Sequence, residues 1–309
     1  MSKPILEVRD LSISFTQYTG VFRQKTNKVI SSLNIEMIPG EIIAIVGASG
    51  SGKSLLAHAI LGILPNNAQI SGLIKFEGEE LTSIRQAEIR GKDIVIVPQS
   101  VNFLDPLMKV GKQVRAAVNE GDRIKAQRYV FDRYHLETHV ENNYPFELSG
   151  GMARRILVST AMVSGARVVI ADEPTPGLDS IVIEEALNNF REFADKGCAV
   201  MLITHDIESA LKIADKIAVF YAGTTVEIAP VADFSGKGES LRHPYSKALW
   251  RALPQNDFIP ISGFQPLASA LPQGCLFAPR CEQATSECSS KQPEIKSLRE
   301  GMVRCFHAT

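Results

Sequence analysis

The apolar positions of the chain fall into short blocks separated by segments of helical period. Residues 6–15 alternate apolar and polar and predict a half-buried strand, and residues 29–38 predict a second. Between them, residues 18–28 read as a polar, glycine-containing loop. Pro39-Gly40 turns the chain into Glu41-Ile42-Ile43-Ala44-Ile45-Val46, a run short and apolar enough for a buried strand. Similar buried runs occupy 93–97, 168–173 and 199–203, and shorter strands are predicted at 72–78, 217–220 and 225–228. Helices are predicted at 55–61, 153–163 and 181–195, and residues 110–148, polar and without a strand pattern, read as a helical insertion. The pattern predicts an α/β fold whose opening strands form an antiparallel patch beside the main sheet.

Composition narrows this only a little. With 309 residues the chain makes one large domain or two modest ones, and 45% hydrophobic and 22% charged residues are ordinary for a globular core. A net charge of −1 supplies no global basic field, which argues against a nucleic-acid partner. No apolar run approaches the roughly 20 residues that span a bilayer, and the first residues lack a signal-peptide core, so a cytosolic location is expected. Of five cysteines, four crowd between Cys275 and Cys305, which in such a compartment suggests metal more than disulfides.

The chemistry is concentrated at strand ends. Gly47-Ala48-Ser49-Gly50-Ser51-Gly52-Lys53-Ser54 lies between a strand and the helix that Leu55 continues, the context of a phosphate-binding P-loop. Its glycines let backbone N–H groups close on phosphate, and the helix N-terminus adds positive partial charge. Lys53 is placed to reach β- and γ-phosphates, and Ser54 to ligate Mg²⁺. An aromatic in the opening strands, Phe15 or Tyr18, offers a ring to adenine; each equally suits the core or a loop. Gln99 follows the 93–97 strand, where a glutamine can ligate Mg²⁺ or orient water. Leu148-Ser149-Gly150-Gly151-Met152 opens a helix and forms either a second anion-binding turn or a plain cap. Asp172 and Glu173 end a buried strand; Asp172 suits Mg²⁺ and Glu173 a general base. His205, after the 199–203 strand, reaches the same edge and can contact a γ-phosphate.

Taken in order, the P-loop, Gln99, Leu148-Ser149-Gly150-Gly151, Asp172-Glu173, Gly177-Leu178-Asp179 and His205 resemble the motif set of the ATP-binding cassette ATPases, over about residues 6–228. The resemblance implies a P-loop NTPase, RecA-like core with an antiparallel β subdomain and a helical signature subdomain at about 100–165. It also implies a nucleotide-binding domain at 1–230 and a cysteine-rich extension at 231–309. It implies ATP hydrolysis with Mg²⁺ held by Ser54, Gln99 and Asp172, and two ATP molecules between head-to-tail cassettes. Each ATP would rest on one P-loop and on the partner's signature turn, with Asp179 communicating across the interface and His205 acting as the γ-phosphate switch. Asn102-Phe103-Leu104-Asp105-Pro106-Leu107-Met108-Lys109-Val110-Gly111 and His243-Pro244-Tyr245-Ser246-Lys247-Ala248-Leu249 resemble segments of the peptide and nickel importers, and Met152 fits one ATPase type among them.

That narrower resemblance implies uptake of di- or oligopeptides, nickel or a metal chelate. Its implied partners are a second, different ATPase, two membrane permease subunits and an external binding protein, at the cytoplasmic face of the inner membrane. Four thiolates suit zinc or an iron–sulfur cluster. The Cys-x₅-Cys-x₆-Cys-x₁₆-Cys spacing resembles dipeptide-type tails that hold a 4Fe–4S cluster, which implies Cys275, Cys281, Cys288 and Cys305 as ligands, with Zn²⁺ as the alternative. Cys198 adjoins a buried strand and reads as packing. Two other functions fit parts of the pattern: a soluble cassette ATPase of translation or DNA repair, and a regulator whose tail senses iron or redox state. The chain lacks the tandem cassette, long coiled-coil insertion or basic arm expected of the first.

Overall fold

Continuous apolar runs become strands covered on both faces, and they set the architecture. A computed structural model describes residues 3–18, 24–175 and 180–309. In chain order its elements begin with β1 (Leu6–Tyr18), β2 (Gln24–Met37), β3 (Ile42–Gly47), α1 (Lys53–Leu61), β4 (Ala68–Phe76), β5 (Glu79–Glu80), α2 (Ser83–Ile89) and β6 (Ile94–Val97). The middle of the chain holds α3 (Val110–Ala116), α4 (Arg123–Arg133), α5 (Gly150–Val163), β7 (Val168–Asp172), α6 (Ser180–Asp195), β8 (Ala199–Thr204) and α7 (Ile207–Ile213). It closes with β9 (Lys216–Tyr221), β10 (Thr224–Pro230), α8 (Pro244–Arg251), α9 (Ser286–Ser290), β11 (Lys296–Leu298) and β12 (Gly301–Val303).

The main sheet runs β11-β12-β10-β9-β3-β8-β7-β6, parallel from β9 to β6 and antiparallel on the β10 side. Every residue of β3, β7 and β8 is buried. Alternate side chains of these strands feed two cores, as the period of two requires. Ile42, Ala44, Val46, Val200 and Leu202 pack with α3, α4, α5 and α6 on one face. Ile43, Ile45, Met201 and Ile203 pack with α1 and the β1–β2 strands on the other. The parallel strands therefore end together on one edge, where loops carrying polar residues can converge.

A second sheet, β2-β1-β4-β5, is antiparallel throughout. The sequence pattern assigns residues 18–28 to a loop; instead β2 begins at Gln24 and its polar start, Gln24 to Lys28, pairs with the end of β1. Alternation was hidden there because both faces are polar, so only the partner strand's backbone holds the segment in a ladder.

The extension is bound to the sheet rather than merely laid on it. β12 pairs with β10, with Glu227 opposite Val303 and Ile228 opposite Met302, so the tail hairpin continues the main sheet. Buried Glu227 accepts hydrogen bonds from the backbone N–H groups of Arg242 (2.7 Å) and His243 (2.9 Å). The buried Arg242 guanidinium pairs with Glu227 (3.3 Å) and Asp233 (2.7 Å), and its Nε donates to Leu298 O (2.7 Å). Each partner's charge is thus compensated, which a buried ion pair requires.

Candidate functional site

The turn after β3 leads directly into α1, whose N-cap is Gly52 at φ 97°, a backbone angle that favours glycine. No side chain caps this terminus, so the first N–H groups of α1 remain for a ligand. Lys53 is buried, and its Nζ donates to Gly47 O (2.8 Å) and Ala48 O (3.2 Å), folding the ammonium back over the loop. Burial lowers its pKa, while the Glu173 and Asp172 carboxylates oppose that shift. Ala48, Ser49 and Gly50 are exposed at the tip.

Across the sheet, Ser54 Oγ donates to Asp172 Oδ1 at 3.1 Å, joining the start of α1 to the end of β7. Burial raises the Asp172 pKa, and the Ser54 hydrogen bond works against that shift. Glu173 follows at φ 45°, a left-handed conformation uncommon for a residue with a Cβ, and its N–H donates to Ile203 O (2.8 Å). That turn brings Glu173 Oε2 to 3.1 Å from His205 Nδ1. Lys53, Ser54, Asp172, Glu173 and His205 are therefore linked in one patch at the strand ends. Gln99 is exposed just beyond β6.

Ser149 caps α5, its Oγ accepting from Met152 N (3.2 Å), while Gly150 is exposed and Met152 packs partly against the core. The cap and an open anion site are compatible here, because capping uses only one N–H. Leu55 and Phe15 are partly buried against the β1–β2 side of the core. The side chain of Tyr18 and the whole Pro176-Gly177-Leu178-Asp179 turn lie outside the described residues, so the Tyr18 and Asp179 expectations gain no geometry.

Two positioning groups were missed in the sequence. Arg154, on α5, is buried and donates to Pro98 O at 2.9 Å, tying α5 to the residue before Gln99. Nothing in the local sequence distinguishes it from an ordinary helix arginine. Asp206 caps α7, accepting from Glu208 N (3.0 Å) and Ser209 N (3.2 Å), and so fixes the turn that carries His205. An aspartate before an apolar helix was a readable signal.

In the extension, Cys275, Cys281, Cys288 and Cys305 line one small cavity with Phe306 and His307. Cys275 N donates to Cys288 O (2.8 Å), so close a backbone approach that a Cβ on Gly274 would fall 2.2 Å from the same oxygen. Cys288 Sγ lies 3.4 Å from His307 Nε2. Burial raises the thiol pKa of Cys275, Cys281 and Cys305, and the neighbouring thiols add to it. Among the described residues no three His, Cys, Asp or Glu side chains form a group able to hold an ion, so the expected metal ligation by these four cysteines gains no geometry beyond the shared cavity. Cys198 is buried by β8 with its thiol pushed up to about 12, as packing predicts.

Comparison with known proteins gives the same outline. Residues 30–176 match the family model described as ABC transporter, and residues 226–288 match the oligopeptide/dipeptide transporter C-terminal region. The chain is 32% identical over 323 residues to the oligopeptide transport ATP-binding protein OppD of Haemophilus influenzae, covering 97% of this chain and 96% of that protein. It is 32% identical over 324 residues to the oligopeptide transport ATP-binding protein AppD of Bacillus subtilis, covering 98% and 96%. Among solved structures it shares its fold with a dimeric ATP-binding cassette in a post-hydrolysis state bound to ADP and Pi, at TM-score 0.64 and 23% identity over 73% of this chain and 98% of that one.

Proposed function

The chain belongs to the ATP-binding cassette (ABC) transporter ATPases, and on that premise we propose that it powers peptide import by hydrolysing ATP at the patch joining Lys53, Ser54, Asp172, Glu173 and His205. The observation carrying this reading is the pair of 3.1 Å contacts, Ser54 to Asp172 and Glu173 to His205, which bring P-loop, strand-end acids and histidine together.

The P-loop backbone from Gly47 to Ser54 cradles the phosphates, and Lys53 turns its ammonium from its own carbonyls to the β- and γ-phosphates. Ser54, Asp172 and Gln99 would hold Mg²⁺, which would offset phosphate charge. Glu173 takes the proton of the attacking water, and His205, hydrogen-bonded to it, contacts the γ-phosphate. Phe15 or Tyr18 stacks on adenine. The turn from Leu148 to Met152 serves the ATP of a partner cassette, and Asp179 lies at that interface. Replacing Glu173 with Gln retains the hydrogen-bonding shape but removes the base. ATP binding should persist while phosphate release falls by about 10²-fold or more; wild-type turnover would defeat the assignment.

Peptide cargo is taken from the named relatives and from the oligopeptide/dipeptide match in the extension. Following the relatives, which are named as transport ATP-binding proteins, the cassette acts through two permease subunits at the cytoplasmic face of the membrane; among the described residues no helix is long and apolar enough to cross a membrane. An external binding protein delivers the peptide, and a second ATPase supplies the opposing cassette. The domain division is a cassette to residue 230 and an extension from 231. Within that extension the four thiols would hold a metal centre, a 4Fe–4S cluster or Zn²⁺, which would crosslink the tail. The support is four cysteines lining one cavity. Visible absorbance of the anaerobically purified chain, with iron, sulfide and zinc analysis, separates these centres, and a metal-free folded tail would remove both. Peptide uptake by the reconstituted assembly, dependent on ATP, tests the cargo.

A further inference from the structure

Beside α8 the extension borders an open pocket of about 300 Å³ that no step of the hydrolysis uses. Phe277, buried, and Ala248 and Ile259 give it apolar walls. Lys247 and Arg251, one helical turn apart, and Arg280 give it cations, and Glu282 gives it one acid. These cations are not equivalent. Arg251 is already paired, its Nε 2.6 Å from Asp257 Oδ2. Arg280 donates to neutral oxygens only: Ser262 O (2.8 Å), Ile261 O (3.2 Å) and Tyr221 OH (3.2 Å). Among the described residues neither Arg280 nor Lys247 forms an ion pair with a carboxylate. The cavity thus combines two uncompensated cations, an apolar wall and a single carboxylate, the complement of a small zwitterion with an apolar body.

We propose that this cavity binds a short peptide through its free C-terminal carboxylate. The carboxylate meets Lys247 and Arg280, an apolar side chain lies on Ala248 and the exposed Ile259, and the peptide ammonium meets Glu282. Neither charge is left without a partner, so both signs of the ligand are read. That the ligand is a peptide rests on the import reading above; that the cavity takes an apolar carboxylate rests on its lining alone. Such a site lies on the ATPase itself, separate from any site on a membrane subunit, and would sample peptide that has already entered.

Calorimetric titration of the full chain with leucyl-leucine, leucyl-leucinamide, N-acetyl-leucyl-leucine and hexanoate tests this. Leucyl-leucine should bind, its amide about tenfold more weakly, since a charge-assisted pair is lost. The acetylated peptide and hexanoate should also be weaker, for want of the ammonium. Lys247→Ala should weaken leucyl-leucine severalfold, and Ala248→Trp, which fills the cavity, should abolish binding, with ATP affinity and thermal midpoint unchanged in both. No heat with leucyl-leucine, equal binding of the amide, or unaltered binding in Ala248→Trp would overturn the proposal. Hexanoate binding as tightly as leucyl-leucine would overturn the peptide assignment. Uptake by the reconstituted assembly is scored separately: transport without binding here refutes this site alone, and binding without transport refutes the import reading alone.

Discussion

Glu173 is held at φ 45° with its carboxylate against His205. A residue with a Cβ in that conformation carries strain of roughly 1–3 kcal/mol, which the fold retains only because its neighbours fix it. Here the fixing contact is the hydrogen bond from Glu173 N to Ile203 O. Glycine adopts the angle freely, so Glu173→Gly should add about 1 kcal/mol of stability, read as a higher thermal midpoint, while ending turnover. A midpoint below wild type, measured by calorimetry, would show that the side chain stabilises more than the backbone strains. At this scale the sequence was informative about which residue types stand at strand ends, since Lys53, Ser54, Asp172 and His205 are placed by local motifs. It was silent on the Glu173 backbone angle and on Arg154 reaching Pro98, because both depend on strands and helices distant in the chain.

The element that secures the extension is the junction of β10 with α8. Arg242 and Glu227 have almost no exposed side-chain surface, so removing one partner leaves a buried charge unpaired. Arg242→Ala should cost about 3–5 kcal/mol, seen as an earlier urea transition, whereas Arg242→Met should cost less because it keeps the volume. His243 is next to it, buried, its Nδ1 accepting the Tyr245 N–H (3.0 Å) at the start of α8. Burial pushes its pKa from 6.5 to about 3. The folded chain therefore refuses a proton that the unfolded chain takes up below about 6.5. Its contribution is complete above that pH and is lost as pH falls from there toward 3. His243→Asn can still cap the helix but does not titrate, so its urea midpoint should vary less between pH 6.5 and 4 than that of wild type. Equal slopes would place the acid sensitivity elsewhere. Cys281→Ser should likewise loosen the tail to limited proteolysis without altering ATP binding. Buried strands such as β3, β7 and β8 were readable as continuous apolar runs. The three-residue strands β11 and β12 were not, for they are too short to show a period and are fixed only by pairing with β10.

At the scale of the whole molecule, the Ser149-Gly150 turn and the P-loop are both surface features of one chain: Ala48, Ser49, Ser149 and Gly150 are exposed. Two cassettes facing head to tail would cover both at once. With hydrolysis blocked by Glu173→Gln, ATP should drive the chain or its cassette partner into a dimer in sedimentation velocity, and ADP should release it. Persistent monomer at saturating ATP and Mg²⁺ would remove the sandwich. The order of motifs made the cassette readable from the sequence. The attachment of its tail was not, because that depends on a sheet edge assembled from segments 76 positions apart, Glu227 and Val303.

This last pairing bears on solubility. A strand at the rim of a sheet offers unsatisfied amides and carbonyls to any passing chain, and β10 would be such a rim without the ribbon from residue 296 onward. The ribbon shields it with a hairpin of only three residues a side, whose outer member has two exposed positions beginning at Lys296. Trimming the chain after α8 should leave a protein that still folds around its P-loop but precipitates or stacks through its bared margin, and light scattering would register the difference.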